Sequence, residues 1–354
     1  MSVAAAAATT GFSVPDALHA TRPVETTGRR RDEVRMLVAR PGDVAHVQFR
    51  DVGDHLAPGD LLVVNTSATL PAAVDGIHPG GAPVTVHFSS PDTPGRWIVE
   101  LRGVDWSCRG SEPGELVYLP GGARLEVVAP HRGERLWSAR FDTGGTVERY
   151  LARYGRPITY DYVSERWPLA AYQTIFSRHP GSAEMPSAAR PFTNRLVTDL
   201  VGRGIAIAPV VLHCGVSSLE AGELPQEERY EVPAATARLV NETRRAGARV
   251  VATGTTVARA LESAARRDGT VVPRAGVTDL VLSAARPARA IDGLVTGWHP
   301  PGASHLSLLE AVAGSDLVRE AYDDAVAQGY LWHEFGDSCL LLPEPRRAVA
   351  REAA

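Results

Sequence analysis

His213 holds the best position for chemistry in this sequence. It closes the apolar run IAIAPVVLH, and open α/β sheets bind their ligands in the crevice outside the carboxyl ends of the strands. An imidazole there is suited to move a proton near neutral pH; the plain alternative is a hydrogen-bonded structural histidine. His299 sits in the Gly/Pro-rich turn TGWHPPG, where a histidine is usually just solvated, and Asp337, in FGDS, precedes the last apolar run CLLLP in the same manner. The stretch RVVATGTTVARALES places Gly254, Thr255 and Thr256 between an apolar strand and a helix. Free backbone N–H groups and the helix dipole favour an anion at such a junction, and a threonine there also reads as an ordinary N-cap.

Composition removes several other chemistries. All 37 basic residues are arginine, so a Schiff-base lysine, a pyridoxal-phosphate site and a Walker-type phosphate lysine are excluded. Against 41 acidic residues the formal net charge is -4, which leaves no global basic field of the kind that coats nucleic acid. Cys108, Cys214 and Cys339 form no CxxC pair, so a zinc knuckle and a dithiol redox centre are not expected, and a reducing cytoplasm fits best. No HExxH, GxSxG or paired-carboxylate motif points to a hydrolase. The opening MSVAAAAATT lacks a basic n-region, and no run approaches the roughly 20 apolar residues of a membrane span. Residues 1–10 are therefore expected to be a disordered leader on a soluble protein.

The elements that must position these residues fall into three stretches. From Val34 to Asn65, RMLVAR, VAHVQF and LLVVN read as strands joined by PGD turns. From Ala72 to about Tyr150, short β-rich runs such as APVTVHFSS, RWIVELRG and ARLEVVAP are spaced by Gly/Pro turns, which predicts a small closed barrel. Beyond Arg156, TNRLVTDLVGRG, AATARLVNETRRAG and TTVARALESAARRDG have helical apolar spacing and alternate with the apolar strands IAIAPVVLH and ARVVATG. SHLSLLEAVAG and DLVREAYDDAVAQG add two helices and DSCLLLP a last strand. The expected fold class is α/β: a layered α/β domain, residues 11–72 plus 155–345, interrupted by a small antiparallel β-barrel domain at 73–154, with a frayed tail at 346–354.

Eight blocks then stand in a recognisable order. They are RPGDVAHVQFRDVGDHLAPGDLLVVNTSATLPA, YQTIFSRHPGSAEMPSAARPFT, APVVLHCGV, RYEVP, ATGTTVARALES, TDL, DGLVTGWHPPGASHLSLLEAVAG and FGDSCLLL. In this order the chain resembles the S-adenosylmethionine:tRNA ribosyltransferase-isomerase family over nearly its whole length. The resemblance implies transfer and isomerisation of the ribosyl part of S-adenosyl-L-methionine onto 7-aminomethyl-7-deazaguanine at a tRNA wobble position, with loss of adenine and methionine. S-adenosylmethionine is then a co-substrate, and no metal is expected.

Carried over by position, the resemblance implies catalytic roles for His213, Arg259, Asp337 and His299. It implies S-adenosylmethionine-binding roles for Arg35, Asn65, Tyr172, Gln173, Gly215, Gly254, Thr255, Thr256, Glu262 and Asp279. His213 is the candidate base, and Arg35 or Arg259 the candidate partner of the methionine carboxylate.

The chain also departs from the family pattern. NDTRV-PAR becomes NTSATLPAA, leaving Thr66, Ala68 and Ala73 where an aspartate and two arginines are usual. APTAGLHFT becomes MPSAARPFT with Pro191 for a histidine, HxGxGTF becomes HCGVSSL, Gln226 replaces another histidine, and Gly302 replaces a lysine. Lost basic residues weaken phosphate contacts. Two further readings therefore stand beside the parent reaction: a diverged enzyme using S-adenosylmethionine or a related nucleoside on a small acceptor, and a non-catalytic nucleoside- or RNA-binding module.

Overall fold

A computed structural model of the protein describes residues 11–344 apart from 132–134, 164, 218–222 and 224. The expected leader, the frayed tail, and Ser218 and Leu219 of HCGVSSL lie outside the described residues. In chain order come β1 (Arg35–Arg40), β2 (Asp43–Gln48), β3 (Leu61–Asn65) and β4 (Ser67–Thr69). The next strands are β5 (Ala73–Ile77), β6 (Pro83–Pro91), β7 (Arg96–Arg102), β8 (Leu116–Leu119), β9 (Ala123–Pro130) and β10 (Leu136–Asp142), followed by α1 (Val147–Tyr154). The remainder holds β11 (His179–Ser182), α2 (Asn194–Gly202), β12 (Ala206–Leu212), β13 (Glu228–Val232), α3 (Ala234–Arg245), β14 (Val250–Thr253) and α4 (Thr255–Ala264). It ends with β15 (Arg274–Thr278), β16 (Gly293–Gly297), α5 (Ser304–Ala313), α6 (Ser315–Ala327) and β17 (Ser338–Leu341).

Nine strands form one sheet in the order β15-β13-β12-β3-β14-β16-β17-β1-β2. Its middle, β12, β3, β14 and β16, is parallel, whereas β2, β13 and β15 pair antiparallel at the edges. A central strand buried on both faces reads as a near-continuous apolar run, and LLVVN in β3 is buried throughout, with only Asn65 at its end polar. Leu61 and Val63 pack under α3, α4, α5 and α6, while Leu62 faces the opposite core with Phe49, Phe192 and α2. The β1–β2 hairpin turns at Gly42, whose φ of 72° suits the residue without a Cβ.

The β-rich middle stretch closes as a six-stranded barrel, β10-β7-β6-β5-β8-β9. Alternation fills it: Val84, Val86 and Phe88 of β6 meet Trp97, Val99 and Leu101 of β7 inside. The stretch ends not in a strand but in α1, started by Thr146, whose hydroxyl accepts from the Arg149 N–H at 3.3 Å. A two-stranded parallel ribbon, β4 with β11, joins the barrel's entry to the large sheet. That ribbon has three or four residues a side, too short for a periodic signature. Among the described residues no helix is long and apolar enough to cross a membrane.

Candidate active site

The parallel strands β3, β12, β14 and β16 end on one side of the sheet, as their registers require. Just beyond those ends lies a cavity of about 260 Å³ whose wall includes Thr69, Gly215, Gly254, Thr255, Thr256 and His299. This is the crevice in which open α/β sheets bind ligands.

Gly254 starts α4 with φ 100°, and a Cβ there would come within 3.3 Å of the Ala188 Cβ. No side chain caps this helix. The capping role expected of Thr255 or Thr256 is therefore not taken: the Thr256 hydroxyl accepts from Asn65 Nδ2 at 3.3 Å instead. Asn65 itself is fully buried, donates to the Leu212 carbonyl at 2.8 Å and accepts from the Ser67 and Leu212 N–H groups. It locks the ends of β3 and β12 to the start of α4.

Arg259, one turn into α4, faces the cavity but is spent on protein. It ion-pairs with Glu228 and donates to the carbonyls of Leu280, Gln226 and Thr278. Burial raises the pKa of Glu228, with Arg259 and the Gly215 N–H pulling it back. Gly215 donates to Glu228 at 3.1 Å, and a Cβ there would strike Ser89 and Gln226. Arg259 thus holds Glu228 and three backbone carbonyls of this wall together.

His299 lines the cavity, its Nε2 3.1 Å from the Thr296 hydroxyl and its ring stacked on His305 with centroids 4.4 Å apart. Burial pushes the His299 pKa well below the usual imidazole range and that of His305 to about 4, so both rings are neutral near pH 7. Tyr172 also lines the cavity; it is 3% exposed, and its hydroxyl has no hydrogen-bond partner.

The other candidates are placed elsewhere. His213 follows β12, but its ring turns to the β4–β11 ribbon, with Nδ1 2.8 Å from the Ser67 hydroxyl and its face against Gly181. Its chain neighbours Cys214 and Gly215 line the cavity in its stead. Burial lowers its pKa to about 4. Asp337 accepts from the Arg35 and Leu331 N–H groups and ties β1 to the loop before β17. Arg35 donates to the Gln328 and Gly329 carbonyls and lies over the Tyr330 ring, so it does not reach toward the cavity as a carboxylate clamp. Gln173 clasps both backbone groups of Thr69, Glu262 accepts from the N–H groups of Arg289 and Ala290, and Asp279 is exposed after β15.

Some wall residues were absent from the sequence-based set of candidates: Glu184, Glu334, Tyr160, Tyr162, His305 and His333. Glu184 and His305 stand inside family blocks, but nothing in their spacing marks them. Of the departures, Gln226 bridges Val216 and Ser89 by its amide, and Thr66 bonds the Val210 carbonyl, so both are absorbed into the protein's own hydrogen bonding.

The chain as a whole is similar to known proteins. Residues 8–341 match the family model described as queuosine biosynthesis protein. An S-adenosylmethionine:tRNA ribosyltransferase-isomerase from Geobacter sulfurreducens is 33% identical over 345 residues, 93% of this chain and 98% of that protein. One of the same name from Anaeromyxobacter dehalogenans is 37% identical over 350 residues, 94% of this chain and 97% of that protein. The crystal structure of an S-adenosylmethionine tRNA ribosyltransferase from Thermotoga maritima is similar at a TM-score of 0.53 and 28% identity, covering 94% of this chain and 99% of that one.

Proposed function

The chain belongs to the queuosine biosynthesis protein family, and we propose on that premise that it is an S-adenosylmethionine-dependent ribosyltransferase-isomerase acting on tRNA. The acceptor in this reading is the aminomethyl group of a 7-deazaguanine at the wobble position, and the cytoplasm is the place of action. The observation that carries it is convergence. Tyr172, Gly215, Gly254 to Thr256, Arg259 and His299 come from four separate family blocks, and all of them line one cavity.

The chemistry follows from the donor. A sulfonium acidifies the adjacent C5′–H, so a positioned base can remove that proton, form an ylide and trigger loss of adenine. The acceptor amine then attacks the sugar, and methionine departs as a neutral thioether. Among the four catalytic candidates His299 is the uncharged imidazole on the cavity wall, and it takes the role of proton acceptor in this reading. His213, Asp337 and Arg259 hold the strand ends and the wall in place. The reaction as written needs no Lewis acid, since the sulfonium supplies the activating charge.

The test is calorimetric titration with S-adenosylmethionine, followed by chromatography for free adenine. Binding by the wild type, with adenine released only when deazaguanine-modified tRNA is added, is the expected result. Adenine release with a small amine and none with tRNA would replace tRNA by a small acceptor. Absence of binding would overturn the reading.

A further inference from the structure

The cavity wall holds two carboxyl groups, Glu184 and Glu334, that no described ion pair engages. Glu184 accepts from the Tyr160 hydroxyl, the Ser217 hydroxyl and, at 2.8 Å, the Ser217 N–H, all neutral donors. Glu334 accepts from the Tyr162 hydroxyl at 2.7 Å. Arg259 is paired with Glu228 and Arg190 with Glu25, Arg190 also lying within electrostatic reach of Glu334. The tyrosines form a layer: the rings of Tyr160 and Tyr162 stack at 5.9 Å, and that of Tyr162 lies on His333 at 3.9 Å. Independently, Tyr172 of the same wall keeps a buried hydroxyl without a hydrogen-bond partner, within electrostatic reach of Glu334. A buried polar group left unpaired is costly and is uncommon outside functional sites.

We infer that Glu184 and Glu334, flanked by the rings of Tyr160 and Tyr162, are the counter-charge for the sulfonium of S-adenosylmethionine. This rests on the proposed function and goes beyond it by assigning the donor's cationic centre to a wall. Hydrogen-bond capacity selects the sulfonium among cations. A primary ammonium brings three N–H donors that need acceptors, and the oxygens of Glu184 are already occupied by three donors. A sulfonium donates nothing; like a quaternary ammonium it needs opposite charge and polarisable ring faces. Glu184 supplies that charge with little acceptor capacity left over. Glu334, with one oxygen bonded to Tyr162, supplies the second carboxylate.

The experiment compares S-adenosylmethionine with S-adenosylhomocysteine, its neutral thioether, by calorimetry on the full-length protein and on Glu184→Gln, Glu334→Gln and Tyr162→Phe. The wild type should prefer the sulfonium by about tenfold or more, the scale of one charge pair at a partly buried site. Glu184→Gln should bring that ratio close to one while the thioether's own affinity stays within a few-fold, and Glu334→Gln should lower the ratio part of the way. Should Glu184→Gln fail to fold, Glu334→Gln and Tyr162→Phe carry the same ratio test. Variants that weaken both ligands equally, with the wild-type ratio kept, overturn the inference, as does a wild type that binds both ligands alike. A wild type that binds neither overturns the proposed function itself.

Discussion

Arg259 and Glu228 are ion-paired on the cavity wall with side chains only 8% and 12% exposed. The fork that could have held a ligand carboxylate instead ties α4 to β13 and to the loop after β15. Its charge is therefore part of the wall's construction.

Breaking this pair leaves a buried charge without a partner. Glu228→Gln should destabilise the protein by about 3–5 kcal/mol in urea unfolding. Arg259→Lys keeps the charge but loses the planar fork to three carbonyls, and should cost about 1–3 kcal/mol. Unchanged unfolding midpoints in both variants would show that the pair does not build the wall.

Gly254→Ala puts a Cβ on a residue at φ 100°, 3.3 Å from the Ala188 Cβ. Strain of this kind costs about 1–3 kcal/mol. Relief by shifting the first turn of α4 moves Thr255 and Thr256, so S-adenosylmethionine affinity should fall in calorimetry by more than the modest drop in melting temperature suggests.

Acid should destabilise the fold through its neutral histidines. Burial lowers the pKa of His213, His305 and His333 to about 4 each, from an ordinary value of 6.5. The unfolded chain then binds protons first, so stability is intact above about pH 6.5 and is lost as pH falls from 6.5 toward 4. The fully buried His305 ring contributes up to about 3 kcal/mol over that window, and the part-exposed His213 and His333 contribute less because solvent screens them. Urea midpoints measured from pH 7.5 to 4.5 check it, and a His305→Asn variant should show a shallower acid limb.

Glu334 should make sulfonium binding pH-dependent. Burial raises its pKa to about 7, against the hydrogen bond from Tyr162. A bound cation favours the carboxylate, so binding releases a proton and affinity rises from pH 5.5 to about 7, then levels. Calorimetry in two buffers of different ionisation enthalpy reads the released proton directly. Glu334→Gln should remove this component.

Much of the scaffold was legible in the sequence because its periods are local. Continuous apolar runs such as LLVVN and IAIAPVVLH mark strands buried on both faces, helical spacing marks α2 to α6, and regular Gly/Pro turns mark the barrel. The β4–β11 ribbon was not legible, because a pair this short leaves no pattern; nor was α1, which stands inside the stretch read as β-rich. At the site, the glycine at the strand-to-helix junction was legible from its place between two elements, whereas His299 entered only through the family resemblance. The sequence by itself thus determined most of the elements and that strand ends meet in a crevice. Only the tertiary structure decided the chemistry of that crevice: it turned His213 toward Ser67, paired Arg259 with Glu228, and left Glu184 and Glu334 outside any described ion pair. The physical reason is that a side chain's protonation and availability depend on burial and on partners far away in the chain, and no local spacing encodes either.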